Sequence, residues 1–164
     1  MIYNRTLKNN LHPLKALFYN TIGFSAAAYY FSKSDTYDNS TTYLILFLIW
    51  LLILVIVSAL HIDYFFKSRT VEIDTSSKFI AFDQHERIYF NQIKEITLVI
   101  PPALYRKDPV NVSPFDDYHY ARFVTNDGKS YFFTCLLSQN VEKVVIQIGV
   151  PLQIKKRLIA VTFF

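Results

Sequence analysis

The chain has one cysteine, one tryptophan and three glycines, and only 18% of its residues are charged. Each scarcity excludes something. Cys135 has no second cysteine with which to form an internal disulfide, which suits a reducing compartment. Three glycines leave no phosphate-cradling loop, and few glycines and prolines argue against low-complexity disorder. The histidines, His12, His61, His85 and His119, are widely separated, with no HxxxH or CxxC spacing. Catalysis needs a nucleophile near a base, or clustered metal ligands, and neither is legible. Cys135 lies in an apolar run and reads as a small buried hydrophobe. Asp116 and Asp117, close to His119, have the chemistry for cation binding or acid–base work, but read better as turn-capping or solvated carboxylates. From Asp63 onward there are 13 Lys+Arg against 11 Asp+Glu, so the basic stripe of a nucleic-acid binder is missing. The expectation is a non-enzyme with no cofactor, no metal site and no nucleic-acid partner.

Apolar residues are abundant, at 52%, but unevenly placed. They gather in two runs before Asp63. Residues 43–60 read YLILFLIWLLILVIVSAL, without a charge. As a helix this run spans roughly 27 Å, close to the hydrocarbon thickness of about 30 Å. Residues 16–32 read ALFYNTIGFSAAAYYFS, a weaker run of roughly 26 Å that a snorkelling Lys15 lengthens. Its Gly23, Ser25 and Ala27 belong to a small face that lets a neighbouring helix approach. Trp50 sits mid-span, where it packs on the first helix or on another copy of the chain. A two-helix transmembrane hairpin, with helices at 14–32 and 43–62, is expected within residues 14–62. Arg5, Lys8 and Lys15 precede it and Lys67 and Arg69 follow it, whereas its connecting loop holds one lysine and two aspartates. Both termini are therefore expected in the cytoplasm. A secretory signal peptide, with Arg5 and Lys8 at its basic end and Ala26–Ala28 at its cleavage site, is the alternative for the first run.

Past Phe66 the period changes. TVEID at 70–74, KFIAFD at 78–83, RIYF at 87–90 and IKEITLVI at 93–100 are short runs rich in β-branched and aromatic residues. A proline-rich break covers 101–117. Residues 118–125 and 130–136 then flank Asn126-Asp127-Gly128-Lys129, a hairpin signal. Ser138 is the expected N-cap of a helix whose apolar stripe is Val141, Val144, Val145 and Ile148, stopped by Gly149 and Pro151.

This order resembles the bacterial pleckstrin-homology-like (PH-like) domains of small membrane proteins. The resemblance rests on Phe90-Asn91-Gln92-Ile93-Lys94-Glu95-Ile96, on the Asn126–Lys129 hairpin, and on the helix ending at Gly149. It implies a curled antiparallel β-sheet with a C-terminal capping helix, serving as a binding platform with no catalytic residues to carry over. Phosphoinositide-binding relatives need several basic residues in their first hairpin to pair with phosphates. Here that turn, read as 75–78, offers only Lys78. The chain thus reads as an α+β membrane protein: an N-terminal segment at 1–13, the hairpin at 14–62, a PH-like β domain at 66–149 and an apolar-basic tail at 150–164.

Two basic patches are the candidate contacts. Lys155, Lys156 and Arg157 lie in an apolar tail, a mixture that suits an anionic membrane surface; a last strand or helix packed on the domain is the plainer reading. Arg106 and Lys107 lie in the proline-rich break. The expected function is a membrane-anchored module that binds a protein partner or the membrane lipids, in a bacterial inner membrane. A regulatory or immunity-type subunit blocking one membrane partner, and a homo-oligomer built through the helices, are the alternatives.

Overall fold

Alternating apolar residues on short, β-branched segments demand a sheet with one face buried, and the chain builds two. The computed structural model describes residues 1–33, 39–83, 86–106 and 113–162. Strands β1 (Ile2–Asn4), β2 (Thr70–Asp74), β3 (Phe79–Phe82) and β4 (Glu86–Tyr89) form an antiparallel sheet in that order. Strands β5 (Ile93–Ile100), β6 (Tyr120–Thr125), β7 (Ser130–Thr134) and β8 (Leu152–Lys156) form the second, in the order β7-β6-β5-β8. There β8 runs parallel to β5. The inner faces of both sheets enclose one core, with Val71, Ile80, Phe82, Leu98, Phe123 and Phe133 at its centre. Helix α5 (Val141–Ile146) closes it with Val141, Val144 and Val145.

All six strands read between 70 and 136 are present, but the expected boundaries need correction. Ile2–Asn4 is not a free N-terminal segment. It pairs with β2, Tyr3 opposite Val71. Within the apolar-basic tail the plainer reading holds, a last strand packed on the domain: β8 pairs with β5 from Leu152 to Lys156. The expected single curled sheet is two four-stranded sheets, with one parallel pair. Ser138 does not cap α5. Its hydroxyl accepts the N–H of Asn140 in a local turn, and Asn140 takes the N-cap position. The β domain is thus discontinuous, and the helices are inserted between β1 and β2.

The insertion begins with α1 (Leu7–Leu11), capped by the Thr6 hydroxyl, which accepts from Asn9 N–H. A 3₁₀ turn at His12–Leu14 contains the buried Pro13, and proline inside a helical path forces such a break. Then come α2 (Lys15–Ser32) and α3 (Asn39–Phe66). Residues Thr41–Phe66 of α3 are long and apolar enough to cross a membrane, the one such span among the described residues. A second core joins α3 to the sheets. Val57, Leu60 and Tyr64, on one helical face, pack with Val99 and Tyr120 on the outer face of the second sheet, and Leu14 and Leu17 join them.

Turn chemistry holds the first sheet. Asp74 accepts the N–H groups of Ser76 and Ser77 at 2.9 and 3.1 Å, and this holds its carboxyl pKa below the ordinary value. In the second sheet Gly128, at φ +85°, closes β6–β7, and a Cβ there would meet nothing within 4 Å. Replacing Gly128 by Val therefore tests backbone strain alone. We expect a loss of about 1–3 kcal/mol, read as a lowered melting temperature of the detergent-purified chain; an unchanged value would contradict the turn.

Candidate functional site at the end of the long helix

Where α3 meets the β domain, polar groups appear on an otherwise apolar helix, and each has a partner. Asp63 is 6% exposed. Its carboxylate accepts the Thr162 N–H at 3.2 Å and the Thr162 hydroxyl at 2.7–2.8 Å. Lys67, one turn on, places its ammonium 3.7 Å away. Tyr64 donates its hydroxyl to the Ala160 carbonyl at 2.6 Å, and Tyr120 of β6 donates to the Val161 carbonyl at 2.9 Å. The Tyr64 ring meets Tyr118 and Tyr120 edge-on, with centroids 5.3 and 6.0 Å apart. His61 Nδ1 lies 3.0 Å from the Tyr118 hydroxyl. Residues 160–162 are therefore stitched to both α3 and the second sheet.

Arg5 ties the two strands of the neck together. Its guanidinium donates to the Lys67 and Ser68 carbonyls at 2.9 and 3.4 Å and lies 4.5 Å over the Phe65 ring. Those carbonyls follow the C-terminus of α3, the negative end of its dipole. Asn9 of α1 reaches the Leu137 carbonyl at 3.0 Å. The chain thus leaves the β domain at Arg5, returns at Lys67, and is bonded across the gap.

The basic candidates fall on one edge. Lys155 and Lys156 belong to β8 and Arg157 follows it, donating its N–H to the Ile100 carbonyl at 3.1 Å. The Lys156 ammonium sits 3.6 Å over the ring of Tyr105 in α4 (Pro102–Arg106). Arg106 follows Tyr105 at the end of this short helix. Lys107 lies outside the described residues.

The helix-packing candidates divide. Trp50 donates its indole N–H to Thr21 Oγ1 of α2 at 3.1 Å, so it packs on the first helix. Gly23 is not a close-approach point: it is exposed, and a Cβ there would meet nothing within 4 Å. Ser25 is exposed and bonds back to the Thr21 carbonyl within its own helix; Ala27 is partly buried. Thr21, Phe24, Ala28 and the candidate Ser25 line a cleft with Tyr43, Phe47 and Trp50 of α3. The side of α2 facing α3 thus carries Thr21, Phe24 and Ser25 rather than Gly23.

The groups with reactive chemistry are engaged structurally. Burial pushes the Cys135 thiol up to about 12, so it is protonated at neutral pH. Burial also lowers the His119 pKa, and its Nδ1 lies 2.9 Å from the Asp117 carbonyl. Asp116 accepts the Ser113 N–H at 3.2 Å. A cavity of about 260 Å³ lies between β4 and the β6–β7 turn, lined in part by Arg87, Gln92 and Asp127. Its polar groups bond locally: Gln92 to the Tyr89 N–H and Asp127 to the Thr125 hydroxyl. Among the described residues no three His, Cys, Asp or Glu side chains gather to hold a metal.

The arrangement of seven strands, β1 to β7, followed by a closing helix agrees with the comparisons. A family model described as PH domain matches residues 3–142. The chain belongs to this PH-domain family. No curated protein and no solved structure matches it. The matched range runs from β1 into α5, across the inserted helices, and stops before β8. This also corrects the reading of the first hairpin. With β1 in place, the turn at 75–78 joins the second and third strands, and the first connection is the helical insertion itself.

The sequence reading missed the neck bonds, although two signals were present. A carboxylate at the end of an apolar run needs a partner, and Tyr118-His119-Tyr120 places two hydroxyls two residues apart. Replacing Thr162 by the isosteric Val removes one donor from a buried carboxylate. This should cost about 1.5–3 kcal/mol and speed tryptic cleavage within 155–157, measured by unfolding and limited proteolysis of the purified chain. Unchanged stability and cleavage would mean that the tail is not held through Asp63.

Proposed function

We propose that this chain is a non-enzymatic, membrane-anchored PH module whose β8 edge faces the anionic surface of its own membrane. PH-like domains generally mediate protein or lipid binding, and the proposal concerns which surface does so. Thr41–Phe66 has 26 residues, a helix of roughly 39 Å against a hydrocarbon core of about 30 Å. The surplus of about six residues corresponds to 61–66, the stretch that carries His61, Asp63 and Tyr64. In this reading α2 crosses beside α3, and the bonded neck lies at the headgroups. Cleavage after Ala28 would remove β1 and Leu17, both packed in the fold, which favours a retained first helix.

One observation carries the reading. Arg157 is three residues from Ala160, whose carbonyl accepts from Tyr64 of α3. At about 3.5 Å per residue it lies within roughly 11 Å of that contact, so the basic run sits at the end of the spanning helix. Phe66 and Leu158 are 79% and 68% exposed. Apolar side chains beside Lys155, Lys156, Arg157 and Arg106 suit an interface with anionic lipid, where each cation contributes about 1 kcal/mol. Lys8, Lys15 and Arg69 flank the same helix ends, so the domain side is the cytoplasmic side, in a bacterial inner membrane.

A protein partner is the second reading, favoured by the position of β8 at the end of its sheet. The two are separated with the full chain in nanodiscs. Amide exchange in residues 152–158 should be several-fold slower with anionic than with zwitterionic lipid, and the difference should vanish when Lys155, Lys156 and Arg157 are all Ala. Equal exchange in both lipids would contradict the membrane-surface role, and protection appearing only when a stoichiometric protein co-purifies would move the function to that partner.

A further inference from the structure

The break between α1 and α2 creates a concave site that β8 does not reach. Leu11, Leu14, Lys15, Phe18 and Tyr19 line a cavity of about 320 Å³. Leu11, Leu14, Lys15 and Phe18 fall at i, i+3, i+4 and i+7, the spacing of one helical face. The buried Pro13 interrupts this path with a 3₁₀ turn. Leu11 and Phe18 are 53% and 65% exposed, and Lys15 is an exposed cation among them.

The helix register fixes the depth of this site. Trp50 bonds to Thr21, so those two residues lie level. Lys15 is about 9 Å below Thr21, which on the antiparallel α3 is the level of Ile56, about 6 Å inside the end of a 30 Å crossing that starts at Thr41. A lysine at that depth extends its ammonium to the phosphate plane and leaves its stem among acyl chains. Lys8 lies one turn before Leu11 and is also exposed. The Asp117 carboxylate lies 4.0 Å from His12 Nδ1.

We propose that this bend seats one anionic phospholipid, with the Lys15 ammonium on its phosphate and its acyl chain against Leu11, Leu14 and Phe18. The occupant is a lipid because the cavity is continuous with the lipid-facing surface of α2, where Tyr19 and Ile22 are 67% and 51% exposed. The cation at its mouth selects the anionic class. This rests on the membrane-anchored reading but uses residues apart from the β8 edge. It gives the neck a second lipid contact, on the α1 side.

The test is native mass spectrometry of the delipidated full chain in detergent, offered equal phosphatidylglycerol and phosphatidylcholine. One phosphatidylglycerol should be retained at least about five-fold over phosphatidylcholine. Because the β8 cations also attract anionic lipid, the decisive comparison is made with Ala at 155, 156 and 157: in that background the one phosphatidylglycerol should still be retained, and adding Lys15→Gln should bring the two lipids to parity. Equal retention by the native chain, or a preference untouched by Lys15→Gln in that background, would overturn the site. Extraction of membranes at alkaline pH separates the two failures. A chain released from the membrane overturns the anchored reading, whereas a chain that stays and shows no preference overturns only the lipid site.

Discussion

The carboxylate of Asp63 is the group on which the junction of helices and sheets depends. A charge in an apolar interface is costly unless paired and hydrogen-bonded. Here the Thr162 N–H and hydroxyl, with the Lys67 ammonium, supply the partners. Because Thr162 comes from the end of the chain, satisfying Asp63 draws residues 160–162 across the outer face of the second sheet. Tyr64 and Tyr120 then find carbonyl acceptors in the same segment. Removing one partner leaves a charge or a carbonyl short inside an apolar contact, so the helix end, the tail and the sheet are coupled.

That coupling gives the β8 edge a fixed place. β8 is paired with β5 along one side and followed in sequence by the stitched tail, so its cations are kept near the end of the helix. The insertion of the helices between β1 and β2 acts in the same direction. Both ends of the insertion emerge from one sheet, and Arg5 bridges them. A module joined to its anchor by one flexible linker could sample many orientations. This one is joined to its helices at β1, β2 and the tail, which holds the β8 edge in one place relative to the end of α3.

Much of the β domain was legible because its signals are local. Alternation at 70–74, the Asp-Gly turn at 127–128 and the valine stripe of α5 depend on neighbours in sequence. β1 was not legible, since three residues, Ile2–Asn4, carry no usable period, and their pairing with β2 crosses the whole insertion. β8 was legible as a basic, apolar tail and, more plainly, as a last strand or helix packed on the domain, without its partner. Its strand character comes from parallel pairing with β5, and parallel partners leave no turn signature. The candidate cations were found by composition, and the contact of Lys156 with Tyr105 needed the structure. The small residues of α2 suggested close packing at Gly23. The contact instead follows Thr21 and Phe24, because the Trp50 indole needs a hydrogen-bond acceptor in an apolar setting.

The central claim is that the PH domain is held in one orientation on the end of α3. The most direct measurement is the distance distribution between spin labels at two introduced cysteines, Ser58→Cys on the exposed side of α3 and Lys94→Cys on β5, in the full chain in nanodiscs. Cys135 is buried and protonated, so it stays silent to labelling. A single narrow distribution, broadened when Asp63 is replaced by Ala, is the predicted result. A broad or multimodal distribution in the native chain would contradict the account.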